Sequence, residues 1–148
     1  MVKYILVVGS TPWDRLKLGQ TLIDEVSGVV IRYASDGEEA IRQIRGGLDV
    51  DVIVANLCIP ENGGGITDDH SGFTLACDLY SGARHSGRER PLVILRTSSE
   101  IILANRENAV SNWSGIDAIV GKDEQGDGEV TDIIKKYLHS GERLLAKV

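Results

Sequence analysis

Asp51-Val52-Ile53-Val54-Ala55-Asn56-Leu57-Cys58-Ile59-Pro60 is the stretch that decides the fold. A leading Asp, a short apolar run, one polar residue and a later Pro describe a strand buried on both faces that carries a single polar side chain to its carboxyl end. Open α/β sheets keep their chemistry at that end, so Asn56 is the first candidate site residue.

Upstream, residues 4–8 are another uninterrupted apolar run, ending at Gly9-Ser10-Thr11-Pro12. Thr11 suits an N-cap and Pro12 a first helical position. Leu16, Leu22, Ile23 and Val26 then recur at helical spacing until Ser27-Gly28. Residues 29–33 make a second strand, interrupted by Arg32 and therefore placed at a sheet edge. Ser35-Asp36 caps a helix running to about Arg45, with Ala40, Ile41 and Ile44 inward and Gly46-Gly47 closing it.

Downstream, residues 61–71 are polar, glycine-rich and without periodicity, which predicts a long mobile inserted loop. Helical spacing returns in residues 72–80 through Phe73, Leu75, Ala76 and Leu79. The basic connection from Arg84 to Arg90 is expected to be solvated. Pro91 opens an apolar strand over residues 92–95, and Ser98 or Ser99 can cap a helix carrying Ile101, Ile102, Leu103, Ala109 and Val110 as far as Trp113. Those apolar side chains and Trp113 are expected in the core. Residues 116–120 form a fifth strand. The last helix is predicted from about Glu129, with Val130, Ile133, Ile134, Tyr137 and Leu138 on one face, continuing toward Leu144-Leu145.

Strand and helix alternate throughout, which requires right-handed crossovers and a parallel sheet covered by helices on both faces. Three wholly apolar strands and two edge-like ones fit a flavodoxin-like doubly wound (βα)5 sheet of order 2-1-3-4-5. The 148 residues suit one domain, 1–148, with 61–71 the inserted loop and 139–148 a C-terminal extension of the last helix. A net charge of −6 argues against direct nucleic-acid binding. Two cysteines in apolar surroundings, no secretory signal and no membrane-length apolar run predict a cytoplasmic protein with reduced thiols.

The order 2-1-3-4-5 hosts many activities, so function has to come from the site. Pro12 removes an amide donor from the loop where a flavin phosphate would bind, and neither a dinucleotide fingerprint nor a P-loop is present. The chain resembles the receiver domains of two-component response regulators. The matching pieces are Tyr4-Ile5-Leu6-Val7-Val8, Ser35-Asp36-Gly37-Glu38-Glu39-Ala40, residues 51–60, Ser71-Gly72-Phe73, residues 91–95, and residues 115–122 ending in Lys122. An ordinary receiver phosphorylates an Asp at the end of strand three. It holds Mg²⁺ with that Asp and an acidic pair after strand one, and it reads the phosphate with a hydroxyl residue, a Lys and an aromatic switch residue. Carried over by position, the phosphoacceptor falls on Asn56, the acidic pair on Gly9 and Ser10, the hydroxyl on Arg96, the switch on Ile119 and the Lys on Lys122. A one-residue slip would exchange Arg96 for Thr97. The Pro that commonly follows the Lys is replaced by Asp123.

The resemblance therefore implies a degenerate site. A hard cation needs carboxylate oxygens that these positions do not offer, so no Mg²⁺ cofactor is expected. An amide is a poor nucleophile, and without a metal the transferring phosphoryl has no clamp. The expectation is a pseudo-receiver without enzymatic activity, taking no part as acceptor in a phosphorelay and acting by protein-protein interaction. Its partner would be a sensor kinase or an output protein, with homodimerisation through the last two helices a further candidate. The alternative is a small-anion or nucleotide sensor using Arg96 and Lys122 as a cationic remnant. Against that, Arg96 could turn outward or pair with Glu61, Glu100 or Asp123. Asp68, Asp69 and His70 match no metal-ligand spacing and are candidate loop contacts to a partner or lid over the pocket.

Overall fold

Strands with no polar face need cover on both sides. The structure, a computed structural model that describes residues 2–9, 11–57, 59–60, 67–68, 75–76, 78–82, 90–113 and 115–140, supplies that cover. In chain order the elements are Lys3–Val8 (β1), Pro12–Glu25 (α1), Val29–Ala34 (β2), Gly37–Arg45 (α2), Val52–Asn56 (β3), Ile59–Pro60 (β4) and Thr67–Asp68 (β5). Helical backbone at 75–76 and 78–82 follows (α3), then Leu92–Thr97 (β6), Glu100–Ala104 (α4), Arg106–Asn112 (α5), Ala118–Gly121 (β7) and Glu124–Ser140 (α6). The longer strands form one five-stranded parallel sheet, β2-β1-β3-β6-β7. This is the flavodoxin-like order 2-1-3-4-5 predicted above, with β2 at an edge and Arg32 exposed.

Side chains alternate faces along a strand, and two cores result. Ile5, Val7, Val52, Val54, Leu92 and Ile94 pack with Leu18 and Leu22 of α1, its C-cap Val26, and Val130 and Ile134 of α6. Leu6, Val8, Ile53, Ala55, Val93 and Leu95 face the other way, onto Ala40 of α2, Leu75 and Leu79 of α3, and Val110 of α5. The same alternation assigns residues at the strand ends. Asn56 and Arg96 continue the parity that faces α1 and α6, whereas Thr97 continues the other.

The helix starts follow the expected capping chemistry. Thr11 Oγ1 accepts from Asp14 N at 3.2 Å, with Pro12 opening α1. Asp36 accepts from Glu39 N at 2.7 Å, and the Glu39 carboxylate reaches back to accept from Ser35 N at 3.2 Å and Ser35 Oγ at 2.7 Å. The Ser35 hydroxyl bond is the main cause that lowers the Glu39 pKa below its ordinary value. Of the two serines offered for α4, Ser99 is the cap, accepting from Ile102 N.

Several expectations are corrected. Of the residues at helical spacing along α1, Leu22 and the C-cap Val26 are buried together with Leu18, whereas Leu16 and Ile23 are exposed, because the sheet takes the row 18, 22, 26. The predicted fourth helix is two short ones, broken at Asn105, whose N–H bonds the Ile102 and Leu103 carbonyls in a tight turn. The break changes the helical phase, so Val110 is buried while Ile101 is 78% exposed and Trp113 is 38% exposed. The last helix starts at Glu124, earlier than expected, because Asp123 Oδ1 accepts from Gly126 N at 2.7 Å and caps it. Residues 141–148, including Leu144-Leu145, lie outside the described residues.

Arg90, expected to be solvated, forms a two-bond ion pair with buried Asp117 at 2.8 and 3.0 Å. Asp117 also accepts from Val93 N at 2.9 Å, which ties the start of β6 to the approach to β7. The rest of that connection, 83–89, is outside the described residues. Within the insert, expected to lack regular structure, Thr67–Asp68 pairs antiparallel with Ile59–Pro60. Among the described residues no helix is long and apolar enough to cross a membrane.

Candidate functional site

At the carboxyl end of the sheet, β3 and β6 end side by side with Asn56 directly opposite Arg96. The pairing and the alternation of faces put Arg96, and not Thr97, on the same side of the sheet as Asn56. Both residues are buried, Asn56 at 3% and Arg96 at 5% exposure. A guanidinium so deeply placed requires anionic or polar partners, since burying an uncompensated charge costs several kcal/mol.

It has them, from the two helices that strand parity turns it toward. Arg96 Nη1 donates to Asp14 Oδ2 at 3.2 Å and lies 3.5 Å from Asn56 Oδ1; Nη2 donates to Asp127 Oδ1 at 3.1 Å. Asn56 Nδ2 donates to the same Asp14 oxygen at 3.4 Å, and Lys122 Nζ stands 3.9 Å from it. Asp14 is in the first turn of α1 and Asp127 in the first turn of α6. The Arg96 Nε–H is buried with no hydrogen-bond partner among the described residues. The cluster thus holds two cations, Arg96 and Lys122, against two carboxylates, and is formally neutral.

The partners anticipated for Arg96 were Glu61, Glu100 or Asp123, and the structure replaces them. Asp123 caps α6, Glu100 is exposed in the first turn of α4, and Glu61 lies outside the described residues. Neither Asp14 nor Asp127 was singled out from sequence. The available signal was an acidic residue in the first turn of each helix that covers this face of the sheet.

Gly9 follows β1 at the same edge, and its carbonyl accepts from Arg15 Nη1 at 2.6 Å. A Cβ at Gly9 would meet Arg15 Cγ at 3.0 Å, with Asn56 Nδ2 at 3.5 Å and Asp14 Oδ2 at 3.7 Å. The space that a side chain from position 9 would need is therefore taken by residues of α1. Ile119 is 3% exposed and belongs to the core on the α2 and α5 side, away from Arg96. Ser10, Asp69 and His70 lie outside the described residues, and Asp68 is placed only as part of the β5 ladder.

No protein-family model matches the sequence, and no curated protein is significantly similar to it. Solved structures are similar. TrrA from Thermotoga maritima, a response regulator protein solved in complex with Mg²⁺-BeF, is 25% identical, with 91% of this chain and 98% of that one covered and a TM-score of 0.66. A response regulator receiver domain protein from Clostridium thermocellum is 18% identical, covering 95% and 97% of the two chains with a TM-score of 0.70. The chemotaxis response regulator CheY4 of Vibrio cholerae is 18% identical, covering 92% and 98% with a TM-score of 0.67. The chain has the fold of response-regulator receiver domains.

Proposed function

We propose that the chain is a phosphorylation-independent receiver-type signalling module, without enzymatic activity, that works by binding a protein partner in a two-component-type regulatory system. The observation that supports this most directly is Arg96. Its guanidinium lies 3.5 Å from Asn56 Oδ1 and is ion-paired on both sides, in the space a phosphoryl group on position 56 would enter. Asn56 itself offers an amide with no anionic form near neutrality. Ile119, packed in the core, has neither the ring nor the freedom for an aromatic switch. A sensor kinase or an output protein is the class of partner this reading implies. Exposed Trp13, Leu16 and Ile101 supply apolar surface for it.

The cationic-remnant alternative gains less support. Asp14 and Asp127 match the charges of Arg96 and Lys122, so the attraction for a free anion is largely cancelled. The test of the main reading is intact-mass measurement after incubation with Mg²⁺ and a small phosphodonor. No added phosphoryl group is expected; a stable acid-labile adduct would overturn the proposal. Homodimerisation through the last two helices is checked by light scattering on the same sample.

A further inference from the structure

We infer that the Arg96 guanidinium is a tethered stand-in for a divalent cation: it supplies through a covalent side chain the positive charge that assembles Asp14, Asn56 and Asp127, and thereby excludes a metal. The inference deepens the reading of this pocket as one that works without phosphoryl transfer, and rests on it in that respect. Its starting point is a disagreement between the site and Mg²⁺, the ion that accompanies BeF in the similar TrrA structure.

The donor chemistry carries the disagreement. Mg²⁺ demands near-octahedral oxygen ligands at about 2.1 Å, and Ca²⁺ takes more of them at about 2.3–2.6 Å. Here Asp14 Oδ2 is already shared among Arg96 Nη1, Asn56 Nδ2 and Lys122 Nζ, and Asp127 Oδ1 is engaged by Arg96 Nη2. Among the described residues no three His, Cys, Asp or Glu side chains converge to hold a metal. A divalent ion entering between these carboxylates would meet the guanidinium at close range, with no net negative charge in the cluster to draw it in.

What the guanidinium does in the cation's place follows from its partners. Asp14 is on α1, Asn56 on β3, Asp127 on α6 and Arg96 itself on β6, so one planar group links four elements at the carboxyl edge of the sheet. The terminal nitrogens alone make these bonds, since Nε is buried and unpaired. The linkage is thus carried by the charged fork, whose geometry suits two carboxylates at once. The site is held in one assembled state regardless of the divalent ions in solution.

The test is Arg96→Met, which leaves the two carboxylates without their cation. Thermal unfolding is followed by circular dichroism in 10 mM CaCl₂ or MgCl₂ and in NaCl of equal ionic strength. The unmodified protein is expected to show no shift between these conditions. The variant is expected to respond: for an ion bound at about 1 mM, its folding equilibrium moves about tenfold and its Tm rises about 3–6 °C. Adding Asp14→Asn and Asp127→Asn to Arg96→Met should abolish the response. If Arg96→Met is unfolded in NaCl, the same experiment becomes a refolding titration in which Ca²⁺ or Mg²⁺ restores structure. A Tm rise of the unmodified protein with either ion overturns the inference. So does an Arg96→Met protein that neither shifts nor refolds with them. Neither result touches the proposed function, which falls instead to a phosphoryl adduct on the unmodified protein.

Discussion

Gly126→Ala and Gly128→Ala, two substitutions two residues apart in the first turns of α6, are expected to change stability in opposite directions. On helix propensity alone each should stabilise, by up to about 1 kcal/mol. At Gly128 nothing lies within 4 Å of an added Cβ, so the propensity gain stands and Tm should rise by about 2–4 °C. At Gly126 an added Cβ would fall onto the Gly121 carbonyl oxygen, 2.6 Å from its carbon and 3.0 Å from its nitrogen. The obstacle is backbone, which cannot swing aside as a side chain can. Relieving it requires α6 to lift from the end of β7, at an overpacking cost of about 3 kcal/mol. Subtracting the propensity gain leaves a net loss of about 2 kcal/mol and a Tm lowered by about 4–8 °C. The consequence reaches the pocket, because Asp127 follows Gly126 and its bond to Arg96 depends on this close approach. Urea and thermal unfolding of both variants measure the difference, which should be about 3 kcal/mol. If Gly126→Ala were as stable as Gly128→Ala, the close packing of α6 on β7 described here would be wrong.

Asp117→Ala removes a fully buried carboxylate from Arg90 and from Val93 N–H, so a loss of about 3 kcal/mol is expected at the pole opposite the pocket. In urea denaturation a loss below about 1 kcal/mol would contradict that assignment. Glu39 has its folded pKa lowered by the Ser35 hydroxyl, so its contribution is present above the unfolded pKa and lost as pH falls through the folded one. The Tm gap between the unmodified protein and Glu39→Gln should therefore narrow on acidification below the ordinary glutamate range, and a gap constant down to pH ~3 would refute the linkage. Asn56→Asp alone should not create Mg²⁺ binding at millimolar metal, since Arg96 remains beside position 56 and Gly9 still carries no carboxylate. Calorimetric titration of that variant with MgCl₂ should yield no binding heat beyond dilution.

Much of the fold was legible because it depends on local rules. Apolar runs such as 52–55 and 92–95 need cover on both faces, Thr11, Asp36 and Ser99 cap helices through bonds within three residues, and alternation requires a parallel sheet. Where helical phase had to be judged, as for Leu16 and Ile23 or across Asn105, the pattern admitted neighbouring rows and only packing chose between them.

The sequence by itself determined that Asn56 ends a buried strand and that Gly9 offers no acid after β1, and it left open whether Arg96 turns into the pocket or outward. It did not disclose that the terminal nitrogens of Arg96 are paired with Asp14, 82 residues away, and Asp127, 31 residues away. A long flexible side chain reaches many carboxylates in principle. The tertiary structure decided among them, because strand parity turns Arg96 toward the α1 and α6 face and the crossovers bring the first turns of those two helices over the ends of β3 and β6.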